Sequence, residues 1–172
     1  GTAYGVGYIR SCPPVIGGYM ASKRKKSDCP DFTERMLDSI STLPPTTPVI
    51  FISRFSYYIH GYNEHPHKTV ALRYLDVADA TASAKPIDWF SKKLIETVCR
   101  AAEDGRKVYI LRPLPEIGVE VPPALTRSMM LGRSPTDIVI PFSEYVSRHQ
   151  DVNFALDAAA KKCGVKILDP TP

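Results

Sequence analysis

The sequence predicts an α/β fold: a parallel central sheet flanked by helices in three layers. Short apolar runs recur at Gly5–Arg10, Val49–Ile52, Val108–Leu111 and Val165–Leu168. Stretches with helical apolar spacing separate them, giving the order β-α-β-α-β-α-β. Strands that alternate with helices pair in parallel through right-handed crossovers, which places helices on the faces of the sheet. The chain has 172 residues, the size of one domain with a sizeable core. Its 16 prolines favour a loop-rich α/β fold over a helix bundle.

GVGYIR, Gly5–Arg10, reads as a short buried strand. The loop Cys12–Cys29 follows, rich in Pro, Gly and Lys. A helix is expected over Pro30–Ser41, with Asp28 as N-cap, Pro30 in the first turn, and Phe32, Met36, Leu37 and Ile40 on one face. Pro44, Pro45 and Pro48 end it. Val49–Ile52 is continuously apolar, as suits a central parallel strand. Ser53–Pro86 is a long connection carrying Phe55, Tyr57, Tyr58 and Tyr62, and loops of that length are usually functional or partly ordered. Within it, Tyr74–Ala84 is open between a hairpin and a helix.

The next helix is expected over Ile87–Glu103, where Phe90, Leu94, Ile95, Val98 and Ala102 keep the helical period and Gly105 suits the cap. The strand Val108–Leu111 then runs into RPLPEIGVEVPP, Arg112–Pro123. Five of these twelve residues are Pro or Gly, so the segment is a shaped loop at a strand's carboxyl end. That edge is where open α/β sheets bind ligands. A short helix over Ala124–Leu131 and a brief strand over Asp137–Ile140 are expected next. A long helix follows over Ser143–Lys162, with Val152, Leu156, Ala159, Ala160 and Cys163 on one face and Gly164 at its end. There is no internal repeat and no low-complexity segment.

Charge and composition narrow the function classes. The apolar share of 44% and charged share of 23% are ordinary for a globular chain. The net charge of +4 comes largely from Lys23-Arg24-Lys25-Lys26, and without that run the chain is balanced, so no nucleic-acid partner is expected. No run is long enough for a membrane span, and no signal peptide is visible. The four cysteines, Cys12, Cys29, Cys99 and Cys163, form no CxxC, which argues against zinc. Cys12 and Cys29 flank one loop, and a disulfide between them is expected in an oxidising compartment. Cys99 and Cys163 fall on apolar helix stripes and read as buried small hydrophobes.

Several residue groups could carry chemistry. No phosphate loop, HExxH or GxSxG pattern occurs, and no cofactor is expected. His60, His65 and His67 cluster, but without further ligands they read as surface loop residues, and no metal is expected. Asp169 follows the last strand, where catalytic acids often sit, yet before Pro170 it also suits a turn. Arg54 directly follows the second strand, with Phe55, Tyr57 and Tyr58 behind it. It could hold an anionic group beside aromatic faces that stack on sugar rings, or be a salt-bridged Arg over a satellite aromatic cluster.

SCPPVIGG (Ser11–Gly18), Cys29 before a helix, RFSYY (Arg54–Tyr58), RPLPEIGVEVPP and Phe142–Pro172 occur in this order. Together they resemble the SGNH-type domain fused to the membrane domain of acyltransferase-3 family proteins, over nearly the whole chain. The RPLPE…VPP loop and the closing LDPTP are the most specific parts. The resemblance implies an SGNH-hydrolase or flavodoxin-like fold and an enzyme that O-acetylates bacterial surface polysaccharide, such as the O-antigen of lipopolysaccharide. A membrane domain of the same parent protein would deliver the acyl group, a glycan would accept it, and the domain would lie in the periplasm or otherwise on the extracytoplasmic face.

The family works through a Ser-His-Asp triad from a GDS-type motif and a DxxH motif. Gly-Asp-Ser does not occur here, and no Asp is followed three residues later by His. The chain is therefore expected to be the middle of a longer SGNH domain, incomplete at both ends, with its triad residues outside this stretch. A GDS-type strand is expected within roughly 40 residues upstream and a DxxH soon downstream, from typical βα-unit lengths. Ser11 falls near the family's second block, where a Gly often gives an oxyanion N–H. Arg54 falls at the third, where classical members carry Asn. Ser11, Arg54, Tyr57 and Glu116 are the candidate substrate or oxyanion residues. A non-catalytic carbohydrate-binding module is the alternative. A stand-alone enzyme using His149 and Asp169 with some Ser has no support in the spacing.

Overall fold

A computed structural model describes residues 5, 12–18, 29–64, 86–133 and 138–171. Among these residues, three parallel strands form one open sheet flanked by helices, in the order β1 (Val49–Phe51), β2 (Val108–Leu111), β3 (Lys166–Leu168). This is the α/β class expected from the alternation of apolar strands and amphipathic helices. The expected strand Gly5–Arg10, Ser11, and the undecided segment Tyr74–Ala84 lie outside the described residues, apart from Gly5 itself.

The strand registers sort the side chains. Val49 pairs with Val108, and Phe51 with Ile110, which in turn pairs with Ile167. Successive strand residues point to opposite faces, so these five share one face. Ile50, Tyr109 and Lys166 form a row on the other. The helices α1 (Cys29–Ser41), α3 (Pro86–Ala101) and α5 (Phe142–Cys163) pack together over the first face. Leu37, Phe90, Leu94, Val98, Val152 and Leu156 meet Phe51, Val108 and Ile110 in one core. The crossovers from β1 to β2 and from β2 to β3 step the same way along the sheet, and with the usual right hand they put α3 and α5 on one side. On the opposite face Ile50 and Ile52 are exposed. Each fully buried Leu or Phe side chain contributes about 2 kcal/mol.

Helix boundaries follow local chemistry. The helix α4 spans Val121–Met130 and so begins inside the expected loop. Pro122 and Pro123 fit its first turn, because those N–H groups have no intrahelical partner in any helix. Gly164 closes α5 at φ 68°, with its N–H on the Ala160 carbonyl. The helix starts after Pro141 without a side-chain cap, so Ser143 is not its N-cap. No strand forms over residues 138–140. That stretch runs straight into Pro141, which has no N–H for a ladder.

Two disulfides cross-link the fold. Cys12 and Cys29 are bonded, with Cα atoms 5.2 Å apart, and close a loop in front of α1. Cys99 of α3 and Cys163 of α5 are also bonded, at a Cα separation of 5.2 Å. The reading of this second pair as inert buried hydrophobes is thus corrected. The two apolar stripes face each other, and a cysteine on each meets its counterpart.

Candidate functional site

The long connection after β1 begins with a helix absent from the sequence reading, α2 (Phe55–His60). Phe55, Ser56, Tyr57 and Tyr58 are all buried in it. Its signal was the i, i+3, i+4 spacing of Phe55, Tyr58 and Ile59, one turn long and easily taken for a loop cluster. The Tyr58 hydroxyl donates to the Cys12 carbonyl at 2.7 Å, and Phe55 meets Phe90 edge-on. Gly61 then takes φ 75°, ψ −163°, a conformation essentially reserved for glycine. That turn carries Tyr62, Asn63 and Glu64 back beside Arg54.

At the carboxyl end of the sheet, Arg54, Glu116 and Arg148 form a linked ion cluster. Glu116 comes from the loop after β2 and its side chain is 5% exposed. Arg54 Nε donates to Glu116 Oε1 at 3.2 Å. Arg148, on α5, donates to Glu116 Oε2 from Nε at 3.0 Å and from Nη2 at 2.8 Å. Arg148 Nη2 also donates to the Gly61 carbonyl, and Asn63 Nδ2 to the Glu116 carbonyl. Charge-assisted contacts of this kind hold a loop far better than neutral ones. The Pro-rich loop is therefore pinned to α2 and α5 through one buried carboxylate.

Arg54 Nη2 reaches Glu64 Oε1 at 3.0 Å, and the guanidinium lies 5.6 Å from the centre of the Tyr57 ring. Burial works against the Arg54 charge, and the hydrogen bonds and charges of Glu116 and Glu64 outweigh it, so its pKa is raised. Of the two readings open for Arg54, the salt-bridged one describes it, though its side chain remains 46% exposed. A cavity of about 710 Å³ opens beside it. Its walls are Arg54, Tyr62, Glu64 and residues of the loop after β2 and the first turn of α4, Glu116 and Glu120 among them.

Tyr57 does not line this cavity; it is buried behind Tyr62, with ring centres 4.7 Å apart in an edge-on contact. Burial first, and then the hydrogen bond with Tyr62, hold the Tyr57 phenol well above its ordinary pKa. Tyr62, carried in by the Gly61 turn, supplies the exposed aromatic face. Sequence reasoning placed Tyr62 in the aromatic cluster but did not single it out, and it missed Arg148 entirely. An Arg one position before an inward-facing His on α5 was the only trace. Arg54 and Glu116 are brought together, while Ser11 lies outside the described residues.

A second polar contact lies beneath the first. Ser56 Oγ and His149 Nδ1 are 2.6 Å apart, both side chains fully buried. The pair resembles half of a hydrolase triad, but no acyl donor can reach a hydroxyl sealed in the core. Burial lowers the His149 pKa, so the ring is neutral at pH 7 and can share one proton with Ser56. The pair joins α2 to α5 and is structural. Tyr145 and His149 extend the buried stripe of α5 through Val152 and Leu156 at spacings of four, three and four residues. The Tyr145 hydroxyl donates to the Pro113 carbonyl at 3.1 Å, fixing the start of the loop.

Asp169 serves the turn reading. Its Oδ1 accepts the Thr171 N–H at 3.0 Å and also the Thr171 hydroxyl, and its Oδ2 faces Arg112 Nε at 3.0 Å. The Thr171 bonds lower its pKa. Asp169 is thus engaged by Thr171 and Arg112. His60 Nε2 lies 3.9 Å from Asp151, while His65 and His67 lie outside the described residues. Among the described residues, no group of three His, Cys, Asp or Glu side chains could hold a metal, and no helix is long and apolar enough to cross a membrane.

Comparison with known proteins yields one finding. No curated protein and no solved structure matches the chain. The family described as SGNH domain (fused to AT3 domains) matches residues 2–172. With its parallel sheet, its flanking helices and a pinned loop at the sheet's carboxyl edge, the chain belongs to the SGNH domain family of proteins fused to AT3 domains.

Proposed function

We propose that this chain is part of an acyltransferase that O-acetylates a cell-surface polysaccharide, and that the cavity beside Arg54 seats the acceptor glycan. One observation carries the reading: an open cavity at the carboxyl edge of a parallel sheet, walled by an exposed tyrosine, a half-exposed guanidinium and a rigidly held loop. Sugar rings stack their C–H faces on aromatic rings and exchange hydrogen bonds with fixed polar groups. Membership of a family fused to AT3 domains supports acyl transfer. The domain acts on the extracytoplasmic face, where its acceptor lies and where the two disulfides persist.

In the proposed reaction a serine of the parent protein attacks the acyl carbonyl of a donor delivered by the membrane domain. A histidine takes the serine proton and passes it to the leaving donor group. A glycan hydroxyl then attacks the acyl-serine and gives its proton to the same histidine, which returns it to the serine as the glycan ester departs. The residues of this chain hold the acceptor; Ser56 and His149 are sealed in the core and take no part. The test is acetyl content of surface polysaccharide, measured by mass spectrometry in cells expressing the parent protein with Arg54→Ala. A drop of tenfold or more at unchanged protein level is expected, and unchanged acetylation overturns the proposal. The buried Tyr57 supporting the Tyr62 face also suits a non-catalytic carbohydrate-binding module. That reading predicts glycan binding with no acetyl transfer by the parent protein.

A further inference from the structure

We infer that the acceptor seated beside Arg54 is an uncharged, hydroxyl-rich glycan, and that the carboxylates already neutralising Arg54 exclude acidic sugars. The inference deepens the proposed acceptor site and rests on it. Among the described residues Arg54 is the cation on the cavity wall, and Glu116 and Glu64 each take one of its hydrogen bonds, at 3.2 Å and 3.0 Å. Arg148, behind Glu116, is committed to that carboxylate and to the Gly61 carbonyl. Among the described residues of the cluster, the two guanidinium groups of Arg54 and Arg148 thus face the two carboxylates of Glu116 and Glu64. A uronate would enter a wall whose described residues carry no surplus positive charge, and its carboxylate would compete with Glu64 and Glu116 for Arg54. Like charges brought together in a partly desolvated site oppose binding.

The hydrogen-bonding groups point the same way. Glu64 Oε2 is buried and has no partner among the described residues. A carboxylate oxygen left in that state is costly and needs a donor. The terminal torsion of a Glu side chain is soft, so a small rotation presents this oxygen to the cavity. A sugar hydroxyl can donate to it, whereas an ionised sugar carboxylate cannot. Among the described residues, the hydrogen bonds of Arg54 use Nε and Nη2, which leaves Nη1 to donate to a neutral hydroxyl or ring oxygen. Tyr62, half-exposed and braced by Tyr57, offers the stacking face.

The test titrates the protein calorimetrically with a panel of oligosaccharides in matched pairs, each a neutral sugar and its C6-oxidised uronate. Neutral members should bind at least about tenfold more tightly at low ionic strength, with the gap narrowing as salt screens the carboxylates. Glu64→Gln keeps an acceptor for Arg54 but removes one negative charge, and it should raise uronate affinity on the order of tenfold. Uronates that bind as tightly as their neutral partners overturn the inference while leaving the acceptor site standing. So does a Glu64→Gln variant, folded by circular dichroism, that shows no gain for uronates. If no member of either class binds, the acceptor-site reading itself falls, and this inference with it.

Discussion

Replacing Glu116 by alanine tests whether the Pro-rich loop is held by its ion cluster. The wild-type carboxylate accepts three N–H groups, at 3.2, 3.0 and 2.8 Å, from two arginines. Their environments differ: the Arg148 side chain is 14% exposed and that of Arg54 46%. After truncation Arg54 can hydrate and keep Glu64, so its share of the loss is small. Among the described residues Arg148 keeps only the Gly61 carbonyl and becomes a largely buried charge without a counter-ion. Breaking a buried pair in this way costs about 3–5 kcal/mol. We expect about 3 kcal/mol, because some water reaches a group of that exposure. With a urea m-value of about 2 kcal/mol/M, the unfolding midpoint followed by circular dichroism should fall by about 1.5 M. A loss below about 1 kcal/mol would refute the reasoning. The double replacement Glu116→Leu with Arg148→Met removes both charges and should recover most of the stability, since a buried pair is often no better than apolar packing of similar volume. A double variant as unstable as Glu116→Ala would show that shape, rather than the stranded charge, sets the cost.

Two further outcomes concern other parts of the fold. Burial holds the His149 and His60 pKa values below the ordinary 6.5, so below that pH the unfolded chain binds protons that the folded chain refuses. Stability should be fully present above about pH 6.5 and decline as pH falls through the lowered folded values, with a shallower decline in His149→Gln; equal urea-midpoint slopes for the two proteins between pH 7.5 and 5.5 would contradict this. Thiol labelling of the native protein should modify none of the four cysteines without reductant, and Cys12→Ser with Cys29→Ser should cost about 3 kcal/mol for a loop of 17 residues.

Long periodic elements were legible in the sequence. The helices α1, α3 and α5 follow from apolar stripes with proline or glycine beyond their ends, and the core residues Leu37, Leu94, Val98 and Leu156 are those the period singles out. Short elements were not. The six-residue α2 carries less than two turns of pattern, and aromatic residues at that density suit a loop cluster equally well. Residues 138–140 have strand-like composition, yet the described sheet offers them no partner. The site was legible only in part: Arg54 and Glu116 stand out by position at strand ends, but Arg148 looks like any polar helix residue.

What the sequence determined alone is whatever depends on neighbours along the chain: the order of the long helices and of the strands β1 to β3, the parallel class that order forces, and the Pro-rich shape of the loop after β2. Tertiary structure decided which distant groups meet. The partners in Arg54–Glu116 and Ser56–His149 are 62 and 93 residues apart, and Cys99–Cys163 spans 64. No local period records such pairings; they arise when α5 packs against α3 over the sheet and brings Arg148 and His149 to α2. That packing turned Arg54 from a possible anion holder into a neutralised donor, because the carboxylates that satisfy it come from Glu64 and from the loop after the neighbouring strand.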